Sequence, residues 1–235
     1  MPADEPVMLV TGARKGIGRH LAAHYLDRGW RVVGCSRQPG DLVHERYTYV
    51  SADVGDESSV KQLLAAVRRE RGRLDAVLNN AGVAAMNHAL LTPASSVEQV
   101  LRTNVEGTFL VAREAARLMQ HRQYGRIVNF VSVAVPLQLE GESIYAASKA
   151  AVVSLTQILA RELAPFGITV NAVGPTPIRT DLLRGVPEDA LFRLMARQAI
   201  HRMGDMADVA NVVDFFVSPA SGFVTGQTVY LGGVS

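Results

Sequence analysis

The stretch V-M-L-V-T-G-A-R-K-G-I-G, Val7 to Gly18, constrains the fold more than any other part of the 235-residue chain. Val7 to Val10 is apolar without alternation, the mark of a short strand buried on both faces. It ends in a turn with glycines at 12, 16 and 18, and a helical period follows from Ile17 to Arg28, closed by Gly29. A strand that enters a helix through such a turn opens a β-α-β unit. Gly12 allows a tight turn, Gly16 lets the backbone approach a pyrophosphate, and Gly18 allows close packing of helix on strand. The first turn of the helix then offers free N–H groups to an anion.

The same alternation runs to the C-terminus. R-V-V-G-C (from Arg31), Y-T-Y-V-S (from Tyr47), A-V-L-N (from Ala76), R-I-V-N-F-V (from Arg126), I-T-V-N-A-V (from Ile168) and Q-T-V-Y-L (from Gln227) read as strands. Helical periods cover Ser58 to Arg71, with Asp56 or Ser58 as N-cap, then Val97 to Gln120, Ile144 to Ala164 and Ala207 to Val217. Thr176 to Met206 reads as a loop with a short helix near Ala190 to Gln198. No repeat, low-complexity tract or linker divides the chain. It reads as one domain over residues 1–235, with 1–6 a short polar tail and 176–206 a loop over the substrate. The class is α/β: a single doubly wound Rossmann-type domain, about seven parallel strands with helices on both faces. Ligands bind such sheets beyond the C-terminal strand ends, where the motifs fall.

Composition narrows the function by exclusion. A net charge of +2 with no basic stripe gives no case for nucleic acid. Cys35 stands alone, so no intrachain disulfide forms, and it reads as a small hydrophobe in a strand. The N-terminus lacks the basic and apolar regions of a signal peptide, and no apolar run approaches the roughly 20 residues of a membrane span. The expected location is the cytoplasm, with no membrane partner and no metal site.

Positive charge here is almost all arginine: of 24 basic residues, only Lys15, Lys61 and Lys149 are lysine. Lys149 stands four residues after Tyr145 in Y-A-A-S-K, inside a helical period, so the two share a face. A tyrosine with a pKa near 10 is a weak acid for work at neutral pH. Lowering it by about three units takes about 4 kcal/mol. A positive charge about 5 Å away, at an effective dielectric near 20, supplies about 3 kcal/mol. The spacing suits Tyr145 as a proton donor acidified by Lys149.

The glycine turn is spaced T-G-x-x-x-G-x-G. N-N-A-G follows the fourth strand at Asn79 to Gly82, Asn104 lies in N-V-E-G-T, and Ser132 stands thirteen residues before Tyr145. Together these motifs resemble the short-chain dehydrogenase/reductase family from about Val7 to Gly233, closest in pattern to its 3-oxoacyl-[acyl-carrier-protein] reductases. The resemblance implies an NADP-dependent oxidoreductase. Tyr145 would be its general acid, Ser132 would polarise the carbonyl, and Lys149 would also hold the nicotinamide ribose. Asn104 would keep a helix distortion and a water on the proton path to Lys149. The implied dinucleotide contacts are Gly12, Arg14, Lys15, Gly16, Ile17 and Gly18. Ser36 and Arg37 follow, then Asp53 and Val54, then Asn80, Ala81 and Gly82, then Tyr145, Lys149, Pro175, Ile178 and Thr180. Ser36 stands where NAD-preferring relatives carry Asp, and Arg37 offers a cation to a 2′-phosphate, so NADPH is expected. Thr176 stands where the family's Pro is usually followed by Gly.

The resemblance implies reduction of a 3-oxoacyl thioester, with another small carbonyl compound (polyketide, sugar or polyol) as the alternative. A non-catalytic dinucleotide sensor is a third reading. The resemblance implies acyl carrier protein as a partner, although Gln123 and Phe166 stand where its docking cations are common, with Arg122, Arg126 and Arg161 nearby. Expected pocket residues are Met86, Val133, Val135, Leu137, Gln138, Leu139, Glu140, Leu182, Leu183, Phe192 and Met195. A homotetramer is expected through Val97 to Gln120, Ile144 to Ala164 and the C-terminal strand region.

Overall fold

The computed structural model describes residues 5–180 and 188–234. Its seven strands are β1 (Val7–Thr11), β2 (Arg31–Ser36), β3 (Tyr47–Ser51), β4 (Ala76–Asn79), β5 (Gly125–Phe130), β6 (Ile168–Gly174) and β7 (Thr228–Tyr230). They form one sheet in the order β3-β2-β1-β4-β5-β6-β7, and every pairing is parallel. The order reverses between β1 and β4, which opens a crevice at their C-terminal ends.

The central strands β1, β4, β5 and β6 are buried on both sides because helices cover both. Val7, Leu9, Val33, Val77, Ile127 and Val170 face α2 (Glu57–Arg71), α4 (Gly107–Met119) and α6 (Ser143–Leu163). Met8, Val10, Val32, Leu78 and Val128 face α1 (Gly16–Asp27) and α8 (Met206–Val217), through Leu21, Tyr25, Val213 and Phe216. The side-chain period of two thus splits β1 between two cores. Cys35 is fully buried in the first of them, and burial pushes its thiol up to about 12.

Local chemistry sets the helix ends. Asp56, not Ser58, caps α2: its Oδ1 accepts the Ser59 N–H at 2.7 Å. At the other end Gly72 takes the left-handed conformation. Asp205 and Asp208 form a capping box on α8. By composition α6 and the turn after it, Ser143–Phe166, are apolar enough to cross a bilayer, with mean hydropathy 1.2. The helix instead packs on β6 and buries Tyr145, Ser148, Lys149 and Thr156.

The helix expected over Val97 to Gln120 is broken. α3 (Ala94–Leu101) starts earlier, behind Pro93, and a π turn over Arg102–Glu106 separates it from α4. A four-residue helix, α5 (Ala134–Leu137), follows Ser132 and is too short to leave a period in sequence. The lid helix α7 (Glu188–Ala196) starts two residues before its expected position.

Candidate active site

Ser132 lies just beyond the end of β5. Tyr145 and Lys149, one turn apart on α6, are 8% and 4% exposed. The ammonium sits 5.9 Å from the Tyr145 ring centre and donates to the Phe130 carbonyl at 2.7 Å. Burial dominates the titration of both groups. It pushes Tyr145 up to about 12; a hydrogen bond from Ser132 pulls the other way, and the Glu142 charge adds to the rise. Burial likewise pushes Lys149 down to about 8. The expected acidification of Tyr145 by Lys149 is therefore not what the fold produces. The tyrosine is held protonated, and the lysine is the group that titrates nearer neutrality.

Asn104 is wholly buried in the π turn. Its Oδ1 accepts the Val83 N–H at 2.9 Å, and its Nδ2 donates to the Val83 carbonyl at 2.9 Å and to Ser148 Oγ at 3.0 Å. Ser148 Oγ in turn donates to the Tyr145 carbonyl at 2.7 Å. Asn104 thus fastens the β4 loop to α6 from inside a widened turn, a position that recurs at functional sites. A Cβ placed on Gly82 would lie 3.3 Å from both Asn104 Oδ1 and Lys149 Nζ, so these groups converge on one point.

The glycine turn fits a dinucleotide. Gly12 and Gly16 have φ of +68° and +61°. Asn80 Nδ2 donates to the carbonyls of Thr11 at 3.0 Å and Gly12 at 3.3 Å, and the Ala81 N–H donates to Thr11 Oγ1 at 3.0 Å. A Cβ on Gly18 would collide with Asn80 and with the Gly12 carbonyl, so the turn is packed tight from beneath. Over Gly16 the nearest atom to such a Cβ is Thr180 Cγ2, at 3.6 Å, which leaves an open cradle. The first turn of α1, with Lys15 as N-cap, has no side-chain cap, so its N–H groups face that cradle.

At the ends of β2 and β3, several expected contacts already have partners. Arg14 donates to Gln38 Oε1 at 2.8 Å, and Ser36 Oγ donates to the Gln38 carbonyl at 2.6 Å. Arg37 is exposed. Asp53 Oδ1 accepts the Gly55 N–H at 3.0 Å, and Arg102 lies 3.8 Å from Oδ2. The Val54 side chain is buried at 7% under Gly107, so only its backbone can meet an adenine.

A cavity of about 770 Å³ joins these parts. Ile17, Asn80, Gly82, Ser132, Tyr145, Lys149, Pro175 and Ile178 line it, as do Met86, Val133, Gln138, Leu139 and Glu140. Val135, Leu137, Phe192 and Met195 do not line it, and Leu182 and Leu183 lie outside the described residues. The miss on α7 is one of helical phase: Ala190, Leu191, Arg193, Leu194 and Arg197 face the cavity, while Phe192 is 70% exposed. Glu142, Val83, Arg193 and Arg197 line it without having been expected. The non-glycine residue after Pro175 has a use as well. Thr176 is 6% exposed and its hydroxyl donates to the buried Gln198 Oε1, which ties the loop after β6 to the end of the lid. Gly204 and Gly232 are the close neighbours that leave room for this pair.

Comparison with known proteins agrees with this geometry. The family profile described as Enoyl-(Acyl carrier protein) reductase matches residues 12–234. The chain is 31% identical to the 3-oxoacyl-[acyl-carrier-protein] reductase FabG of Escherichia coli, over 99% of this chain and 98% of that one. It is 33% identical to the FabG of Staphylococcus aureus, over 96% of each. Among solved structures, ElxO with NADP bound superposes with a TM-score of 0.89 at 27% identity, covering 97% of each chain. A variant of the actinorhodin polyketide ketoreductase with NADPH superposes at 0.88 and 31% identity, over 98% of this chain and 97% of the other. Similarity that runs the length of the chain, on the same scaffold, joins the glycine turn and the Ser132–Tyr145–Lys149 cluster in one conclusion: the chain belongs to the short-chain dehydrogenase/reductase family.

Proposed function

We propose that the protein reduces a ketone to a secondary alcohol with NADPH, and that the ketone is a 3-oxoacyl thioester. The observation that carries this reading is the buried Tyr145 side chain, which lines one cavity together with Ser132 and stands one helical turn from Lys149. When bound, a reduced nicotinamide supplies the hydride for the carbonyl carbon. Tyr145 gives its proton to the carbonyl oxygen. Ser132 donates a hydrogen bond to the same oxygen and stabilises the charge that develops there. Lys149 stabilises the tyrosinate left behind, and Asn104 holds α6 in place through Ser148. A protein that only senses dinucleotide has no use for Ser132, Tyr145 and Lys149 meeting in one cavity with Asn104 bracing their helix from behind.

The FabG relatives support the thioester, and the polyketide ketoreductase supports the alternative, another small carbonyl compound. Carrier-protein docking would fall to Arg122 and Arg161. Arg126 is 4% exposed, stacks on Tyr124 at 4.5 Å and donates to the Gly125 carbonyl, so it is spent inside the fold. A cytoplasmic location goes with this reading. So does a homotetramer: Phe109 on α4 and Ile158 on α6 are 37% and 51% exposed, and Val229 lies on the sheet's edge strand β7. Light scattering should return about four times the 25.3 kDa chain mass, and a monomeric mass would end that part of the proposal.

The test is NADPH oxidation with a 3-oxobutanoyl thioester, with NADH run in parallel. Turnover selective for NADPH is expected; no turnover of any ketone would sink the reading. Arg37→Asp exchanges a cation for a carboxylate at the expected 2′-phosphate and should cut the NADPH-over-NADH preference by about ten- to a hundredfold. An unchanged preference would remove Arg37 from cofactor selection.

A further inference from the structure

We propose that Glu142 sets which ketones are accepted, its carboxylate taking a hydrogen bond from a neutral hydroxyl that the substrate carries beside the reduced carbonyl. The inference rests on the reductase reading above and narrows its substrate class. Glu142 occupies the N-cap position of α6, three residues before Tyr145, yet its side chain makes no capping bond. Its backbone is pinned: the N–H donates to the Leu139 carbonyl at 3.3 Å, and the carbonyl accepts from Ala146 at 2.7 Å. The side chain is half-buried and lines the same cavity as Ser132 and Tyr145. Among the described residues it makes no hydrogen bond or ion pair, and burial alone, with nothing to offset it, raises its pKa.

A half-buried carboxylate that meets no protein donor keeps water as its partner, and a substrate that displaces this water from the cavity has to replace the hydrogen bond. The surrounding charges decide the kind of partner. Lys149 on the same helix would repel a cation, and so would Arg193 and Arg197 from the lid side. Glu142 itself and Glu140 on the preceding turn would repel an anion. Lys149 is tied to the Phe130 carbonyl and Arg193 to Asp189, so neither satisfies Glu142. A neutral donor remains, and a hydroxyl next to the carbonyl is the smallest one that meets a side chain so close to Tyr145.

The experiment compares ethyl 3-oxobutanoate with its 2-hydroxy and 4-hydroxy derivatives as substrates with NADPH. It also compares binding of the corresponding alcohols by calorimetry. In the native protein kcat/KM should favour a hydroxylated ester by about tenfold or more, with a matching difference in Kd between the alcohols. Glu142→Leu should bring both differences within about twofold while turnover of ethyl 3-oxobutanoate persists, and Glu142→Gln, which keeps an acceptor oxygen, should retain part of the preference. Equal selectivity in the native and Leu forms, or native preference for the plain ester, would overturn the proposal. Loss of turnover with every ester, with the calorimetric difference intact, would instead overturn the reductase reading and leave Glu142 standing as a binding determinant.

Discussion

Tyr145→Phe should lower ketone turnover by about 10²–10⁴-fold and leave NADPH affinity within about twofold. The substitution removes one oxygen and keeps the buried ring. It loses the hydrogen bond to Ser132, a loss of about 1 kcal/mol, so folding should survive. The pH profile separates this group from its neighbour. With Tyr145 pushed up to about 12, the donor stays protonated across the working range. A fall in kcat/KM near pH 8 should then track Lys149, whose pKa is pushed down to about 8 and whose charge the tyrosinate needs. Activity above a tenth of native in the Phe form would remove Tyr145 as donor. An alkaline limb only near pH 10 would contradict the low lysine.

Period and spacing carried much of this in the sequence. The unalternating run at Val7 to Val10 is apolar because a helical layer covers each face, and the glycines at 12, 16 and 18 stand where backbone must lie close to backbone or to a ligand. Packing decided the rest. A π turn adds one residue to a helix without disturbing its composition, so periodicity runs straight through Asn104; only the family resemblance points to a distortion there, and the structure shows Val83 and Ser148 closing on its side chain. The lid helix has apolar residues on more than one stripe, and contact with the cavity selects Leu191 and Leu194 over Phe192. The ionisation of Tyr145 was misjudged for a similar reason. The spacing to Lys149 displays the charge, whereas the burial that opposes it belongs to the whole fold. Glu142 in G-E-S-I-Y looks like any acid in a loop until the loop is seen to line the cavity.

The lysine proposed to serve the chemistry should weaken the fold, and Lys149→Met should expose both effects. Below pH 8 the ammonium is protonated in the folded and unfolded chain alike, so the folded state bears the full penalty of a buried charge. Between about 8 and 10.5 the folded chain gives up the proton first. The unfolded chain then binds more protons, and stability rises with pH. Tyr145 acts in the opposite sense at higher pH: its folded pKa near 12 lies above the ordinary 10, so stability falls as the unfolded chain ionises first. Methionine removes the charge, a gain of about 2–3 kcal/mol at neutral pH. It also strands the Phe130 carbonyl, a loss of about 1–2 kcal/mol. The net is a melting temperature higher by a few degrees at pH 7, an advantage that shrinks toward pH 10. Turnover should drop about a hundredfold, since a charge at this range is worth about 3 kcal/mol to the tyrosinate. Lys149→Arg should not restore it, because a planar guanidinium cannot occupy the ammonium's place between Phe130 and Gly82. A Met form that melts lower than native at pH 7, with the same pH slope, would show that the lysine is not held at the expense of stability.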